Sequence, residues 1–127
     1  MLNAVQGLGI DIVEIERFKK AMEKHPRIID RLFTETEQSY CLDRKKPYLH
    51  FAVRFAAKEA VLKSLETGRS GIGWKDVEVH RQNSGAPEVK LHNSAVDVTS
   101  SKGVKKIVLS LSFSHTNAVA AAIAVGG

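Results

Sequence analysis

Cysteine, aromatic residues and long apolar runs are all scarce in this sequence, and each scarcity excludes a class of protein. The single cysteine, Cys41, excludes an internal disulfide framework and a multi-cysteine zinc site. No stretch approaches the ~18 consecutive apolar residues of a membrane-spanning helix, and the first residues lack the basic segment and apolar run of a secretory signal. We therefore expect a cytoplasmic protein. Aromatic residues make up 6% of the chain and do not alternate with basic ones, as they do in proteins that bind single-stranded nucleic acid.

The composition is that of one soluble domain, which we expect to extend over residues 1–127. Of the 127 residues 43% are hydrophobic, enough to fill a core, and 26% are charged, as is typical of globular proteins. Lysine and arginine number 19 against 14 aspartate and glutamate, a formal net charge of +5. This excess favours an acidic partner and leaves nucleic acid, a phosphate-rich small molecule and an acidic protein as alternatives.

Turn signals and hydrophobic periodicity predict an α+β fold. Three glycines within Thr67–Gly73 mark a loop that divides a mostly helical first part from a second part made mostly of strands. The later strands are connected as hairpins, which favours an antiparallel sheet packed with one long and several short helices. A Thr-x-x-Glu capping box at Thr34 and a proline at Pro47 mark two helix starts. The predicted helices are Glu14–Lys24, Arg27–Phe33, one beginning at Thr34, Tyr48–Leu65 and Asn93–Ser101, and the predicted strands are Val5–Val13, Asp76–Arg81, Glu88–Leu91, Lys106–Ser114 and Ala118–Val125.

Glu59 places a carboxylate on an otherwise apolar face of the long helix. At 100° per residue it falls beside Ala52, Phe55 and Ala56, with Lys63 one turn further on. Burying a charge without a partner is costly. From the helix alone, an i,i+4 ion pair between Glu59 and Lys63 is the simpler interpretation.

Asp11 interrupts the first strand in a comparable way. It shares a face with Gly9 and Val13, and an acid inside a strand disfavours that strand unless something binds it. An edge strand with the acid in water is the simpler interpretation. A hard divalent cation such as Mg²⁺ between Asp11 and Glu59, with basic residues holding the phosphate oxygens of a substrate, explains both carboxylates together. The opposite face of the strand carries Leu8, Ile10 and Ile12.

The segment Ser112–Thr116 lies at the end of a predicted strand. His115 continues the face of apolar residues that precede it, and a lone histidine on such a face is more often a packed core residue than a catalytic one. A nucleophile pair of Ser114 and His115 is excluded, because adjacent strand residues point to opposite faces. The glycine-rich loop lacks the spacing of a P-loop and follows a helix rather than a strand.

Three of these segments, Gly7–Ile15, Arg54–Ala60 and Ser112–Thr116, resemble the holo-[acyl-carrier-protein] synthases, the small trimeric group of phosphopantetheinyl transferases. The helix Arg-Phe-Ala-Ala-Lys-Glu-Ala is the most specific of the three motifs, whereas the strand motif alone is weak. The resemblance covers nearly the whole chain and implies the α+β fold of the 4′-phosphopantetheinyl transferases.

The resemblance implies a reaction, in which the 4′-phosphopantetheine arm of coenzyme A is transferred to a serine of apo acyl carrier protein and adenosine 3′,5′-bisphosphate is released. It implies Mg²⁺ as the cofactor, with the catalytic residues Asp11 and Glu59 as its two protein ligands. Glu59, or a water that it orients, is then the candidate base for the serine. The family match also assigns contacts with coenzyme A. The expected phosphate contacts are Arg54, Lys58, Lys63 and His115, and the residues expected to shape the nucleotide pocket are Thr116, Gly71 and Gly73.

The segment Arg17–Arg31 holds six basic and two acidic residues, a net charge of +4 out of the chain's +5. The resemblance implies that it meets the acidic carrier protein through Arg17, Arg27, Ile28 and Arg31. It also implies a homotrimer with active sites between chains and no nucleic-acid or membrane partner. An ordinary solvated basic face is the alternative for this segment. A small basic nucleic-acid-binding domain without catalysis is the alternative for the whole chain.

Overall fold

The computed structural model describes residues 4–66 and 71–127, and these form an α+β fold. The predicted order of helices and strands is confirmed, with ends that differ by one or two residues. A 3₁₀ turn, Trp74–Asp76, precedes β2. The strands are β1 (Val5–Glu14), β2 (Val77–Arg81), β3 (Pro87–Leu91), β4 (Val104–Phe113) and β5 (Asn117–Gly126), and the helices are α1 (Ile15–Lys24), α2 (Arg27–Leu32), α3 (Glu35–Leu42), α4 (Pro47–Ser64) and α5 (Ser94–Ser101).

The strands form two antiparallel sheets. One has three strands in the order β1-β5-β4, and the other is the β2-β3 hairpin. The long helix α4 packs against the three-stranded sheet through its C-terminal half and against α1, α2 and α3 through its N-terminal half. No helix in the two described ranges is both long and apolar enough to cross a membrane.

Small residues bring α4 unusually close to the sheet. The inner face of β5 consists of four fully buried alanines, and β1 contributes Gly7 and Gly9 to the same face. A Cβ atom on Gly9 would lie 1.9 Å from the backbone oxygen of Ala60, and one on Gly7 would lie 1.8 Å from that of Ser64. The backbones of β1 and α4 therefore touch without side chains between them, and every residue on this face of β1 is held against the helix.

The two faces of β1 alternate as predicted, and the apolar one faces outward. Leu8, Ile10 and Ile12 are between 62% and 67% exposed, although they are large hydrophobic residues. Their partners across the sheet, Ile123, Ala121 and Val119, share this outer face. The domain thus presents an apolar sheet surface that its own helices do not cover.

Local signals explain most helix ends. The capping box at Thr34 is confirmed, with Thr34 N donating to Glu37 Oε1 and Glu37 N donating to Thr34 Oγ1. Pro47 occupies the first turn of α4. Asn93 stands at the predicted start of α5 but does not cap it, because its amide donates to Asp76 Oδ1 at 3.0 Å. Of the predicted glycine-rich loop, residues 67–70 lie outside the described ranges, and Gly71 has a positive φ of 77°.

Candidate active site

Asp11 lies on the inner face of β1 and points toward α4. β1 is an edge strand, as the alternative of an acid in water required. The Asp11 side chain, however, is only 17% exposed. Lys63 of α4 reaches it with Nζ 3.0 Å from Asp11 Oδ1 and donates to the backbone oxygen of Ile10, also at 3.0 Å. The ion pair between Lys63 and Asp11 thus links α4 to β1.

Asp11 and Glu59 open into the same cavity, which has a volume of about 780 Å³. Lys63 borders it as well, so three of the residues that the sequence singled out converge here. The cavity also reaches Arg17 of α1 and Ile28 of α2, two of the predicted carrier-docking residues. Arg27 and Arg31 are exposed on α2 and do not line it. Glu14 and Asn117, which were not predicted from the sequence, also line this cavity and are paired across β1 and β5.

The donor set in this cavity fits magnesium. Within residues 4–66 and 71–127, no group of three or more histidine, cysteine, aspartate or glutamate side chains is placed to hold a metal ion. Asp11 and Glu59, the two carboxylates singled out from the sequence, lie beside open volume and would leave most coordination positions to water or to a substrate. Mg²⁺ binds in that way, through one or two carboxylates, several waters and the phosphate oxygens of a substrate.

His115 and Thr116 lie in the turn between β4 and β5. Both are exposed, so the interpretation of His115 as a packed core residue is wrong. They line a cavity of about 510 Å³ that shares Glu14 and Asn117 with the cavity of Asp11. The backbone oxygen of Thr116 accepts a hydrogen bond from Ile15 N at 2.9 Å, which ties this turn to the start of α1. The cavity at this turn therefore adjoins the cavity of Asp11 and Glu59.

Arg54 belongs to a different cavity, of about 390 Å³, whose lining includes Tyr40, His50 and Arg81. We call it the arginine pocket. Arg54 is 6% exposed, its guanidinium carbon lies 4.0 Å from the centre of the Tyr40 ring, and its Nε is buried without a hydrogen-bond partner among the residues that the structure describes. Among the described residues, its lining contains no carboxylate. The pocket is therefore suited to an anion.

The charges in the arginine pocket act on the titratable groups beside them. Burial alone would raise the pKa of Tyr40, but a hydrogen bond from Arg81 and the charges of Arg54, Arg81 and Arg44 outweigh it and hold the pKa below 10.0. Burial lowers the pKa of His50, and the charge of Arg54 lowers it further. The arginine charges lower both pKa values, although burial is the largest cause of the shift at His50. A signal for this cluster existed in the sequence, since Tyr40 and Arg44 are one helical turn apart.

The structure contradicts the expectation that Lys58 contacts phosphate. Its side chain is fully buried, with Nζ 2.8 Å from Glu37 Oε1. Nζ also donates to the backbone oxygens of Val77 at 2.6 Å and Trp74 at 3.0 Å, so its three protons are all engaged. Burial lowers the pKa of Lys58 and the charge of Glu37 opposes that shift. Lys58 therefore joins α4 to α3 and β2.

Gly71 and Gly73 lie beside α5 and line none of the three cavities described above. The Oγ atom of Ser94 donates to the backbone oxygen of Gly71 at 2.6 Å, and the backbone N of Gly73 donates to Asp76 Oδ2 at 2.9 Å. Within one chain, the predicted site residues thus fall into separate groups: the carboxylate cavity with its neighbouring histidine turn, the arginine pocket and this glycine segment.

Known proteins show the same sequence and fold. The family model of the 4′-phosphopantetheinyl transferase superfamily matches residues 7–124. A holo-[acyl-carrier-protein] synthase from Alkaliphilus metalliredigens is 48% identical over 120 residues, which cover 94% of this chain and 98% of that protein. The acyl carrier protein synthase of Plasmodium yoelii with ADP bound has a TM-score of 0.89 at 32% identity, over 100% of this chain and 99% of that one.

A second solved structure has a related ligand. The holo-(acyl-carrier-protein) synthase of Bacillus anthracis in complex with CoA (3′,5′-ADP) has a TM-score of 0.80 at 29% identity, over 97% of this chain and 98% of that one. The match therefore extends over the strand, helix and turn that carry Asp11, Glu59 and His115. This chain belongs to the 4′-phosphopantetheinyl transferase superfamily and, within it, to the holo-[acyl-carrier-protein] synthases.

Proposed function

We propose that this chain transfers the 4′-phosphopantetheine group of coenzyme A to a serine of apo acyl carrier protein, with residues 1–127 acting as one domain. The convergence of Asp11 and Glu59 in one cavity carries the proposal, because this reaction develops negative charge on a pyrophosphate and needs a base. The family membership and the ligands of the solved relatives support it.

Asp11 and Glu59 are the residues that would hold Mg²⁺, together with water and the pyrophosphate of coenzyme A. When bound, the ion supplies charge neutralisation on the pyrophosphate and on the leaving group. The serine hydroxyl oxygen forms a bond to the β-phosphorus, and the bond from that phosphorus to the oxygen of adenosine 3′,5′-bisphosphate breaks. Glu59 receives the serine proton, either directly or through a water that it orients.

Lys63 and His115 are proposed to contact phosphate groups near these carboxylates, and Arg54 is proposed to contact phosphate in the arginine pocket. Lys63 is half-exposed at the cavity and has one proton left to donate beyond its hydrogen bonds to Asp11 and to the backbone oxygen of Ile10. Gly71, Gly73 and Thr116 are proposed to shape the nucleotide pocket. Lys58 has no place in this set, because it is buried against Glu37.

A homotrimer would complete the site, because Arg54 and the two carboxylates line different cavities of one chain. In the proposed trimer each active site lies between neighbouring chains. The exposed apolar face of β1 supports association, since monomeric domains seldom leave a row of large residues such as Leu8, Ile10 and Ile12 in water.

The carrier protein is proposed to dock on α1 and α2. Arg17 and Ile28 line the carboxylate cavity, and Arg27 and Arg31 are exposed beside it on α2. The serine of a carrier bound there lies next to the proposed base. Since acyl carrier proteins are strongly acidic, opposite charges favour the encounter.

A transfer assay tests the function. Purified protein is incubated with coenzyme A, apo carrier protein and Mg²⁺, and mass spectrometry measures addition of phosphopantetheine to the carrier. We expect modification that stops when Mg²⁺ is chelated and is absent from a carrier whose acceptor serine is replaced by alanine. Absence of transfer, with tight binding to nucleic acid instead, would favour the alternative of a small basic nucleic-acid-binding domain.

A further inference from the structure

The arginine pocket is organised around one tyrosine side chain. The guanidinium carbon of Arg54 lies 4.0 Å from the centre of the Tyr40 ring, and that of Arg44 lies 4.2 Å from it. Arg81 donates from Nη1 to the Tyr40 hydroxyl at 2.9 Å. The ring of His50 meets Tyr40 edge-on, with 5.9 Å between centroids. Three arginines thus converge on Tyr40: Arg54 of α4 and Arg81 of β2, which line the pocket, and Arg44 of the turn after α3.

Among the described residues, no carboxylate forms an ion pair with Arg44, Arg54 or Arg81. Like charges gathered around one ring repel each other, and burial of Arg54 adds to the cost. The negative face of an aromatic ring attracts a guanidinium, and a phenol oxygen accepts a hydrogen bond from one. Tyr40 therefore supplies the attraction that a carboxylate would otherwise provide, without neutralising the pocket.

A carboxylate in the place of Tyr40 would form salt bridges with the arginines and compete with an anionic ligand. The tyrosine aligns the three guanidiniums and leaves their charge available. The buried Nε of Arg54 has no partner among the described residues, so this side chain also retains an unused donor. These are the properties of a pocket prepared for a phosphate group before the ligand arrives.

We propose that Tyr40 is a positioning residue for coenzyme A: its ring holds Arg44 and Arg54, and its hydroxyl holds Arg81, in the arrangement that receives a phosphate group of this substrate. The inference rests on the proposed function, because that function supplies the phosphate-bearing substrate. Tyr40 itself does not touch the reacting atoms and acts through the arginines.

The test compares two replacements of Tyr40 with a matched control. Tyr40→Phe keeps the ring and removes only the acceptor for Arg81, whereas Tyr40→Leu removes both. Tyr48→Leu is the control, because Lys19 Nζ lies 5.5 Å from the centre of the Tyr48 ring and this residue does not line the arginine pocket. Calorimetry measures the Kd for adenosine 3′,5′-bisphosphate, and steady-state assays measure kcat and the KM for coenzyme A and for carrier protein.

For Tyr40→Leu we expect the Kd for adenosine 3′,5′-bisphosphate and the KM for coenzyme A to rise roughly tenfold or more, the order expected from losing two cation–π contacts. In Tyr40→Phe, which keeps the ring, both constants should stay much closer to their wild-type values. The KM for carrier protein and kcat should stay within about twofold of wild type in both variants, because the carrier and the reacting groups lie elsewhere. Tyr48→Leu should leave the Kd for adenosine 3′,5′-bisphosphate unchanged.

Two results would overturn the inference. One is wild-type affinity for adenosine 3′,5′-bisphosphate in Tyr40→Leu. The other is a fall of both kcat and thermal stability in Tyr40→Phe and Tyr40→Leu, with the KM for coenzyme A and the KM for carrier protein raised alike. That pattern would indicate a purely structural role for Tyr40. Failure of the proposed function can be distinguished from failure of this inference. In the first case the wild type modifies no carrier protein, whereas the Kd for adenosine 3′,5′-bisphosphate still compares the variants.

Discussion

At the scale of single residues, the same side chain type has opposite roles at two positions of α4. Lys58 is fully buried and bound to Glu37, whereas Lys63 is half-exposed at the cavity that Asp11 and Glu59 share. They are five positions apart in one helix, which places them on different sides of it. One lysine therefore contributes to stability and the other is available to a substrate.

Replacing either carboxylate of the cavity should abolish transfer and leave the fold intact. Asp11→Ala removes the partner of an exposed lysine, and Glu59→Ala places a strong helix former in α4. We expect no holo carrier protein at saturating Mg²⁺ and a thermal midpoint near that of wild type. Near-normal turnover in either variant would contradict the assignment of that residue to the metal site.

Lys58→Met should lower the free energy of unfolding far more than replacement of a lysine on the surface. Removing one partner of a buried ion pair leaves the other charge without compensation, at a cost of roughly 3–5 kcal/mol. Urea denaturation measures the free energy of unfolding. Lys90→Met on the exposed side of β3 is the control and should change it by less than about 0.5 kcal/mol. A small effect at Lys58 would mean that Glu37 finds another partner.

At the scale of elements, the contact of β1 with α4 depends on glycine. Gly9→Ala places a Cβ atom 1.9 Å from the backbone oxygen of Ala60, so strand and helix must separate. We expect a loss in the upper part of the roughly 1–3 kcal/mol range for overpacked cores, together with weaker transfer activity. Gly73→Ala is the comparison, because its Cβ would meet only the Asp76 carboxylate at 3.2 Å. Equal stability of the two variants would show that β1 can shift without cost.

The β2 strand should make stability sensitive to acid through Glu78. Burial would raise the pKa of this carboxyl, but hydrogen bonds from Thr34, His92 and His80 outweigh it and hold the pKa at about 2, against an ordinary value of 4.5. A depressed pKa stabilises the folded state above pH 4.5, and this stabilisation is lost as the pH falls from 4.5 toward 2.

Glu78→Gln should therefore remove part of the fall in stability over that pH window. Denaturation at a series of pH values measures the effect. Glu88→Gln, at an exposed position of β3, is the matched control and should keep the wild-type profile. An unchanged acid profile for Glu78→Gln would indicate that another carboxylate controls the transition.

Element ends were predictable from the sequence, because caps, prolines and glycines act locally; the box at Thr34 and the proline at Pro47 are examples. That Asp11 and Glu59 lie in one cavity was predictable only indirectly. A shared cation was the one hypothesis that explained both carboxylates in apolar surroundings. The burial of Lys58 was not predictable, because its partners Glu37 and Val77 come from other elements. The pairing of Lys63 with Asp11 was not predictable either, because it depends on how β1 is aligned along α4.

At the scale of the whole molecule, exposed positive charge on α2 should control association with the carrier. Arg27→Glu combined with Arg31→Glu should raise the KM for carrier protein steeply and leave the KM for coenzyme A nearly unchanged. Added salt should weaken carrier binding to the wild type and affect this variant less. Lys105→Glu with Lys106→Glu makes the same change of net charge on β4, and its KM for carrier should remain near normal. Equal KM values for carrier in the two double variants at low salt would place docking elsewhere.

The backbone contact between β1 and α4 has a consequence for how this sequence can diverge. The separation of Asp11 from Glu59 depends on Gly7, Gly9 and the alanines of β5, which have no functional groups. A new side chain at these positions would displace both acids at once, and no single neighbouring substitution could make room, because the atoms in contact belong to main chain. Selection on the chemistry should therefore constrain these small residues as strongly as the acids themselves, while the exposed surface of α1 and α2 is free to follow changes in a partner.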